Sequence, residues 1–299
     1  MKIALTYNEK RLPSEAHAEF DTREAIAGLA ALVARCGHEV VPIDVSGTIP
    51  RLVARLGRVR PDLVLNLAEG ERGAFREAFY PALFEQLGLA HTGSSASALA
   101  LCLDKALAKR VVAAAGVRVP GPPRANRPAI VKPNFEGSSK GITVVPAGGD
   151  LAAAVTATRA RYPGGVIVEE LVDGIDVGVG WFAGLGQLPA IAYRYAGAIY
   201  DYALKHATPE RVTLEIPARL SPRTRRRLAT ATTRAFAALG VTGYGRADFR
   251  LTPAGDVVFL EMNPLPSLTL APGHDELYVA AARAGRSPPE LVAAVLARA

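Results

Sequence analysis

The chain has 299 residues, of which 49% are hydrophobic and 21% charged, and a formal net charge of +7. That length exceeds what one small core needs and suits two or three subdomains, and no run approaches the ~20 apolar residues of a membrane-crossing helix. The first residues read as a strand, without the apolar region and cleavage site of a secretory signal. Cys36 and Cys102, the only cysteines, fall in apolar helical patterns that predict two buried free thiols, so a cytoplasmic protein is expected. The excess positive charge collects at 51–60 and in Arg223-Thr224-Arg225-Arg226-Arg227, with no aromatic residues interleaved. The second run opens a helical segment and predicts a solvated face; no nucleic-acid or membrane partner is expected.

The first ninety residues alternate strand and helix. Strands are predicted at 2–7, 39–43 and 62–67, and helices at 22–35, 49–56 and 76–87, the last closed by Gly88. This rhythm predicts an α/β fold with a parallel sheet and right-handed crossovers. No G-x-G-x-x-G follows the first strand, so a dinucleotide fingerprint is absent. Thr92-Gly93-Ser94-Ser95 predicts the N-cap of one long helix running to Ala115, with Gly116 as its left-handed stop. Val119-Pro120-Gly121-Pro122-Pro123 reads as a hinge. Short strands follow at 129–132, 142–145, 166–170 and 176–182, with a helix at 151–161 opened by Asp150. A helix at 222–239, strands at 246–251 and 257–263, and two final helices complete the pattern, which contains no internal repeat.

Three segments carry chemistry. In Val131-Lys132-Pro133-Asn134-Phe135-Glu136-Gly137-Ser138-Ser139-Lys140-Gly141 a strand ends in a loop of small residues. Such a loop frees backbone N–H groups to cradle phosphate oxygens, and Lys132 and Lys140 add charge; a plain hairpin loop is the alternative. In 246–264 the turn Pro253-Ala254-Gly255-Asp256 predicts a hairpin that brings Asp248 near Glu261. Arg246 shares a face with Asp248, and Asn263 with Glu261. Facing carboxylates repel unless a cation joins them, and carboxylate and amide oxygens suit Mg²⁺ held with substrate phosphates. In 166–176 an apolar strand delivers Glu169 and Glu170 into a linker. There a carboxylate and backbone groups can read a purine edge against Leu171 or Val172, and Asp176 can accept from a ribose.

Taken in this order, the segments resemble the ATP-grasp superfamily and, within it, the D-alanine–D-alanine ligase family. Lys-Pro-x-x-x-Gly-Ser-Ser-x-Gly at 132–141 is similar to that family's phosphate loop. Gly245-Arg246-x-Asp248 with Glu261-x-Asn263-Pro264 is similar to its metal-binding segment, Asp104-Lys105 to its helix-opening pair, and Tyr200-Asp201-Tyr202-x-x-Lys205 to its mobile loop. The resemblance covers about 63–269. It implies an ATP-grasp fold, α+β in the ATP-binding part, behind an N-terminal Rossmann-like parallel-sheet domain, with divisions at 1–92, 93–176 and 177–299. It also implies roles. Lys105 and Lys132 would contact the α- and β-phosphates, and Ser139 with the backbone around Gly137 would close over them. Glu169 and the backbone of Glu170 and Val172 would hold adenine, and Asp176 the ribose. Asp248, Glu261 and Asn263 would bind two Mg²⁺ ions, with Mn²⁺ as a substitute. Arg246 and Lys205 would stabilise the transferring phosphoryl group, and Ser138 would hold the loop over the substrates. The implied reaction activates a carboxylate as an acyl phosphate and joins it to an amine, making an amide between two small amino acids; a homodimer is implied too.

Four departures concern the substrates. Asn66-Leu67-Ala68-Glu69-Gly70 stands where the family has a His-Gly pair. His206 replaces a tyrosine and resembles the depsipeptide-forming branch, which uses a hydroxy acid; an exposed loop histidine is the other option. Leu265-Pro266-Ser267-Leu268-Thr269-Leu270 keeps part of the string that contacts the second substrate, leaving Ser267 as a candidate. Glu19 and Asp21 are candidates for the carboxylate that takes a substrate amine, with a helix-starting role equally open to Asp21. A cell-wall enzyme and a dedicated small-molecule ligase both fit. A catalytically silent nucleotide-binding module is disfavoured by the retained Lys132, Arg246, Asp248, Glu261 and Asn263.

Overall fold

The structure, a computed structural model, describes residues 1–271 and 275–297. An apolar run places β1 (Lys2–Tyr7) at the centre of a parallel sheet ordered β2–β1–β3, with β2 at Glu39–Asp44 and β3 at Leu63–Leu67. Central parallel strands are covered on both faces, and Ile3, Ala4 and Leu5 are fully buried. The crossovers run through α1 (Arg23–Arg35) and α2 (Ile49–Val59), and α3 (Arg76–Gln86) follows β3. Helix α1 buries Ile26, Leu29 and Val33 at helical spacing. Its cap is Thr22, whose hydroxyl accepts from Ala25 N, so Asp21 does not start the helix. Cys36, at the end of α1, is half-buried rather than buried, while Cys102 is buried; both are free.

The long helix predicted to Ala115 is two helices, α4 (Ala96–Leu103) and α5 (Lys105–Ala114). Asp104 breaks it, and the cause is local chemistry. Aspartate is a strong N-cap because its carboxylate satisfies otherwise orphaned amides. Here its Oδ1 accepts from Leu107 N and from Asn134 Nδ2, while Asn134 Oδ1 accepts from Ala106 N. The bend therefore locks the start of α5 to the phosphate loop, 30 residues away, and sets the direction of Lys105.

Strands β4 (Ala129–Pro133), β5 (Thr143–Val145) and β6 (Val166–Glu170) form an antiparallel sheet ordered β5–β4–β6, with α6 (Leu151–Arg161) packed on it. A larger antiparallel sheet is built from β7 (Ile175–Phe182), β8 (Gly186–Gln187), β9 (Ile191–Arg194), β10 (Thr213–Glu215), β11 (Tyr244–Leu251) and β12 (Val257–Asn263). Its order is β10–β9–β7–β11–β12, with β8 on β7. Between β9 and β10 lies the stretch expected as a mobile loop. It contains a one-turn helix, α7 (Tyr202–His206), capped by Asp201 through Leu204 N.

Helix α8 (Pro222–Leu239) exposes Arg223, Arg225, Arg226 and Arg227 and buries Leu228, Ala235, Phe236 and Leu239 against the large sheet. Helices α9 (Glu276–Arg283) and α10 (Pro288–Leu296) return to the first sheet, where α10 packs on α1. No helix among the described residues is long and apolar enough to cross a membrane.

Candidate active site

Strand β4 carries Lys132 to the edge of a cavity of about 460 Å³. In the β4–β6 register Ile130 faces Glu169, which places Lys132 and Glu169 diagonally on one face. Lys132 Nζ lies 3.2 Å from Glu169 Oε2, and Lys109 Nζ lies 2.5 Å from Oε1. Burial opposes ionisation of Glu169, but the two lysines outweigh it and hold its carboxyl low. Burial also opposes the charge on Lys132, which Glu169 and Glu261 overcome. Glu169, expected to read an adenine edge, is thus the counter-ion of two lysines. Lys109 was not singled out from the sequence. Its signal is its spacing, one turn beyond Lys105 on the same helical face. The Glu170 amide, expected to meet adenine, donates to Gly121 O, and Glu170 Oε1 accepts from Gly121 N.

The loop after β4 turns through Ser138 and Ser139, with φ of 50° and 57°. Consecutive left-handed residues are uncommon outside glycine, and successive N–H groups in turn conformations make anion-binding concavities. Ser139 Oγ donates to Tyr200 O at 2.9 Å, which ties this loop to the segment before α7. Gly137 gives the Glu19 carboxylate its room, since a Cβ there would overlap it and force that side chain to shift. Lys140 Nζ meets Glu19 Oε2 at 2.8 Å and Glu136 Oε2 at 2.9 Å.

On the opposite side the β11–β12 hairpin places Asp248 directly across from Glu261, and Arg246 across from Asn263. Arg246 grips both Asp248 oxygens, at 2.8 and 2.9 Å, and its Nη1 meets Glu276 Oε1 at 2.8 Å. Gly178 on β7 makes room for this pair, since a Cβ there would lie 3.2 Å from Arg246 Cδ and from Asp248 Oδ1. Burial would discharge Glu261, yet Lys105, Lys132 and Lys205 outweigh it and hold its carboxyl at about 2. The Lys105 ammonium is 3.5 Å from Glu261 Oε2. Lys205 sits over the Tyr200 ring at 5.0 Å, and burial lowers its pKa. Asp176, expected to meet a ribose, pairs with Arg250 at 3.1 Å and accepts from the Tyr195 hydroxyl.

Asp248, Glu261 and Asn263 offer hard oxygen donors of the kind Mg²⁺ takes. Among the described residues no three Asp, Glu, His or Cys side chains form a closed metal cage. The open donor set fits an ion whose remaining ligands are phosphate oxygens and water. Asp248 already accepts from Arg246, but a carboxylate has about four lone-pair positions, so a metal can share it.

On the wall that carries the candidates Glu19 and Asp21, the sequence did not single out Arg76, Glu69 or Glu77. Glu19 Oε2 meets Arg76 Nη2 at 3.2 Å as well as Lys140, and Glu69 and Glu77 line the cavity beside them. His206 packs on the Tyr202 ring at 4.5 Å, and Ser267 Oγ lies 2.9 Å from Thr269 Oγ1; both also line the cavity. Every residue singled out from the sequence as catalytic, nucleotide-, metal- or substrate-binding borders this one cavity.

A family profile described as D-ala D-ala ligase C-terminus matches residues 123–297. A D-alanine–D-alanine ligase of Anaeromyxobacter sp. is 34% identical over 283 residues, covering 90% of this chain and 88% of the relative. The chain belongs to the D-alanine–D-alanine ligase family. The enzyme of that name from Desulforudis audaxviator is also 34% identical, over 298 residues covering 93% of this chain and 92% of its own. The fold agrees with solved structures. D-alanine–D-alanine ligase from Bacillus anthracis, complexed with ATP, superposes with a TM-score of 0.75 at 20% identity, covering 99% of this chain and 96% of that one. The VanG D-Ala:D-Ser ligase of Enterococcus faecalis gives 0.73 at 22% identity, covering 99% and 98%. This family member is an ATP-grasp enzyme, an ATP-dependent ligase that forms a carbon–nitrogen bond.

Proposed function

We propose that the enzyme joins two small amino acids, one activated at its carboxylate as an acyl phosphate and the other attacking through its amine. The observation that carries this reading is the convergence of Lys105 from α5, Lys132 from β4, Lys205 from α7 and Arg246 from β11 around the Glu261–Asp248 pair. Phosphoryl transfer asks mainly for positioning and charge neutralisation, and these residues supply both. Lys105, Lys132, Ser139 and the Gly137 backbone seat the phosphates. Glu169, Glu170 and Val172 border the adenine, and Asp176 the ribose. Asp248, Glu261 and Asn263 hold Mg²⁺, two ions in this reading, which neutralises phosphate charge when bound. Arg246 and Lys205 face the reacting groups, and Ser138 and Glu19 face the substrates.

In the first step a donor carboxylate oxygen bonds to the γ-phosphorus and ADP leaves. The acceptor nitrogen then bonds to the acyl carbon, a proton is lost, and phosphate departs with the donor oxygen. The Ser139–Tyr200 contact supports a closed arrangement that keeps water from the acyl phosphate. D-Alanine is the substrate named for the relatives, and it heads the candidates here. Work in the cytoplasm and assembly as a homodimer belong to the same reading. The exposed Phe75 and Phe79, one turn apart at the start of α3, supply apolar surface for a second copy.

The test is ADP release with Mg²⁺-ATP across pairs of D- and L-amino acids and hydroxy acids, with mass analysis of products. Release that needs a pair, with a product mass equal to the two minus water, is expected. A hydroxy acid as obligatory acceptor would move the reading to an ester-forming ligase and give His206 its role. ATP binding without release for any pair would contradict ligation of these substrate classes.

A further inference from the structure

Glu69 and Glu77 are brought to the cavity by a close backbone approach. Gly70, with φ of 74°, lies so near Arg76 that a Cβ would overlap the Arg76 carbonyl, and Gly70 N is fixed by Asn8 Oδ1 at 2.9 Å. The end of β3 thus folds onto the first turn of α3, and both glutamates face the same space. Four carboxylates stand on this wall: Glu19, Asp21, Glu69 and Glu77. Arg76 lies among these acids, 3.8 Å from Glu77, but the hydrogen bonds of the nearby cations go to other groups. Arg76 donates to Phe135 O at 2.5 Å and to Glu19; Lys140 pairs with Glu19 and Glu136; Lys105 faces Glu136 O and Glu261.

Glu77 is only 7% exposed and borders the cavity, yet among the described residues it accepts no hydrogen bond. Its contact with Arg76 Nη2, at 3.8 Å, is too long for one. Glu69 has neither a hydrogen bond nor an ion pair among them. A carboxylate that lines a cavity without a hydrogen bond is costly unless it is protonated or matched by a ligand or a counter-charge. Burial, together with the charge of Glu77 and Glu19, pushes the Glu69 carboxyl well up. Burial, against the opposing pull of Arg76, puts Glu77 at about 7. A cation in the cavity would supply the counter-charge that Glu69 lacks and that Glu77 has only at 3.8 Å.

Resting on the ligase reading above, we propose that one of the two substrates is an amino acid with a cationic side chain, whose ammonium or guanidinium is taken by Glu69 and Glu77. An amine seated there donates charge-assisted hydrogen bonds to both acids and returns them to the ionised state. A neutral side chain leaves Glu77 without a hydrogen bond and Glu69 without a partner on the cavity wall.

The decisive experiment measures binding without turnover, by calorimetry with a non-hydrolysable ATP analogue and Mg²⁺, using ornithine, lysine and 2,3-diaminopropionate of both hands against alanine and serine. The basic amino acids are expected to bind about 10–100-fold more tightly, the range of a hydrogen bond to a charged group. In Glu77→Gln and in Glu69→Gln, which keep shape and remove charge, that preference is expected to fall at least about 10-fold. Equal or weaker binding of the basic amino acids would overturn the proposal. So would an unchanged preference in both variants, since it would mean that the acids act only as neutral groups. If basic amino acids bind selectively but no pair releases ADP, the ligase reading fails while the binding of a cationic side chain by Glu69 and Glu77 stands.

Discussion

Replacing Glu261 with glutamine is expected to lower the rate of ADP formation by about 10²–10³-fold or more, at least the size seen when one preorganised stabilising group of a reacting centre is removed. The glutamate is a carboxylate at the end of β12 whose ionisation is enforced by Lys105, Lys132 and Lys205. It opposes Asp248 in strict register. Glutamine keeps the shape but removes one of the two anionic oxygens proposed to hold the metal. It also leaves three lysines without their shared counter-charge. ATP, itself an anion, can still enter such a site, so kcat should fall more than KM rises. The fold should survive, because Phe259 and Met262 on the same strand are buried and hold the hairpin. Steady-state ADP release with circular dichroism tests this, and near-normal turnover would remove Glu261 from the metal set.

Arg246→Lys is expected to cost a similar factor, about 10²–10³-fold in kcat/KM. Arg246 uses its fork for Asp248 and its remaining Nη1 for Glu276, so three nitrogens each have a fixed task. An ammonium keeps the charge but is a single point on a flexible stem, and it cannot bridge two carboxylates in these positions. Asp248 would then turn freely within the space that Gly178 leaves open. A lysine variant with full activity would show that charge alone suffices and that the fork geometry is incidental. The wild-type profile against ionic strength offers a control, because this triad is largely shielded from solvent and salt screens it weakly.

What the amino-acid sequence disclosed was whatever chemistry is local along the chain. The Pro253–Asp256 turn sits between two short apolar strands, so the opposition of Asp248 and Glu261 followed from counting residues. Lys132, Ser138 and Ser139 were legible because a strand ends and a loop of small residues begins within a few positions. The rest depends on contacts between distant segments. Asp104 breaks a helix that periodicity alone continues, and the residue that braces the break is Asn134. Glu169 finds its counter-ion in Lys109, 60 residues earlier. Glu69 and Glu77 reach the same cavity where Gly70 lies against the backbone of Arg76. Strands β8, β9 and β10 are short, of two to four residues, and too brief for alternation to register.

The most direct test of the account follows one oxygen atom. A donor amino acid carrying heavy oxygen in its carboxylate is turned over with Mg²⁺-ATP, and the released inorganic phosphate is weighed. Attack of the carboxylate on the γ-phosphorus followed by amine attack on carbon carries one labelled oxygen into phosphate for each amide formed. That transfer, with ADP as the nucleotide product, is the expected result. Unlabelled phosphate, with both heavy oxygens kept in the donor, would show that ATP is hydrolysed by water in this cavity and would contradict the acyl-phosphate route.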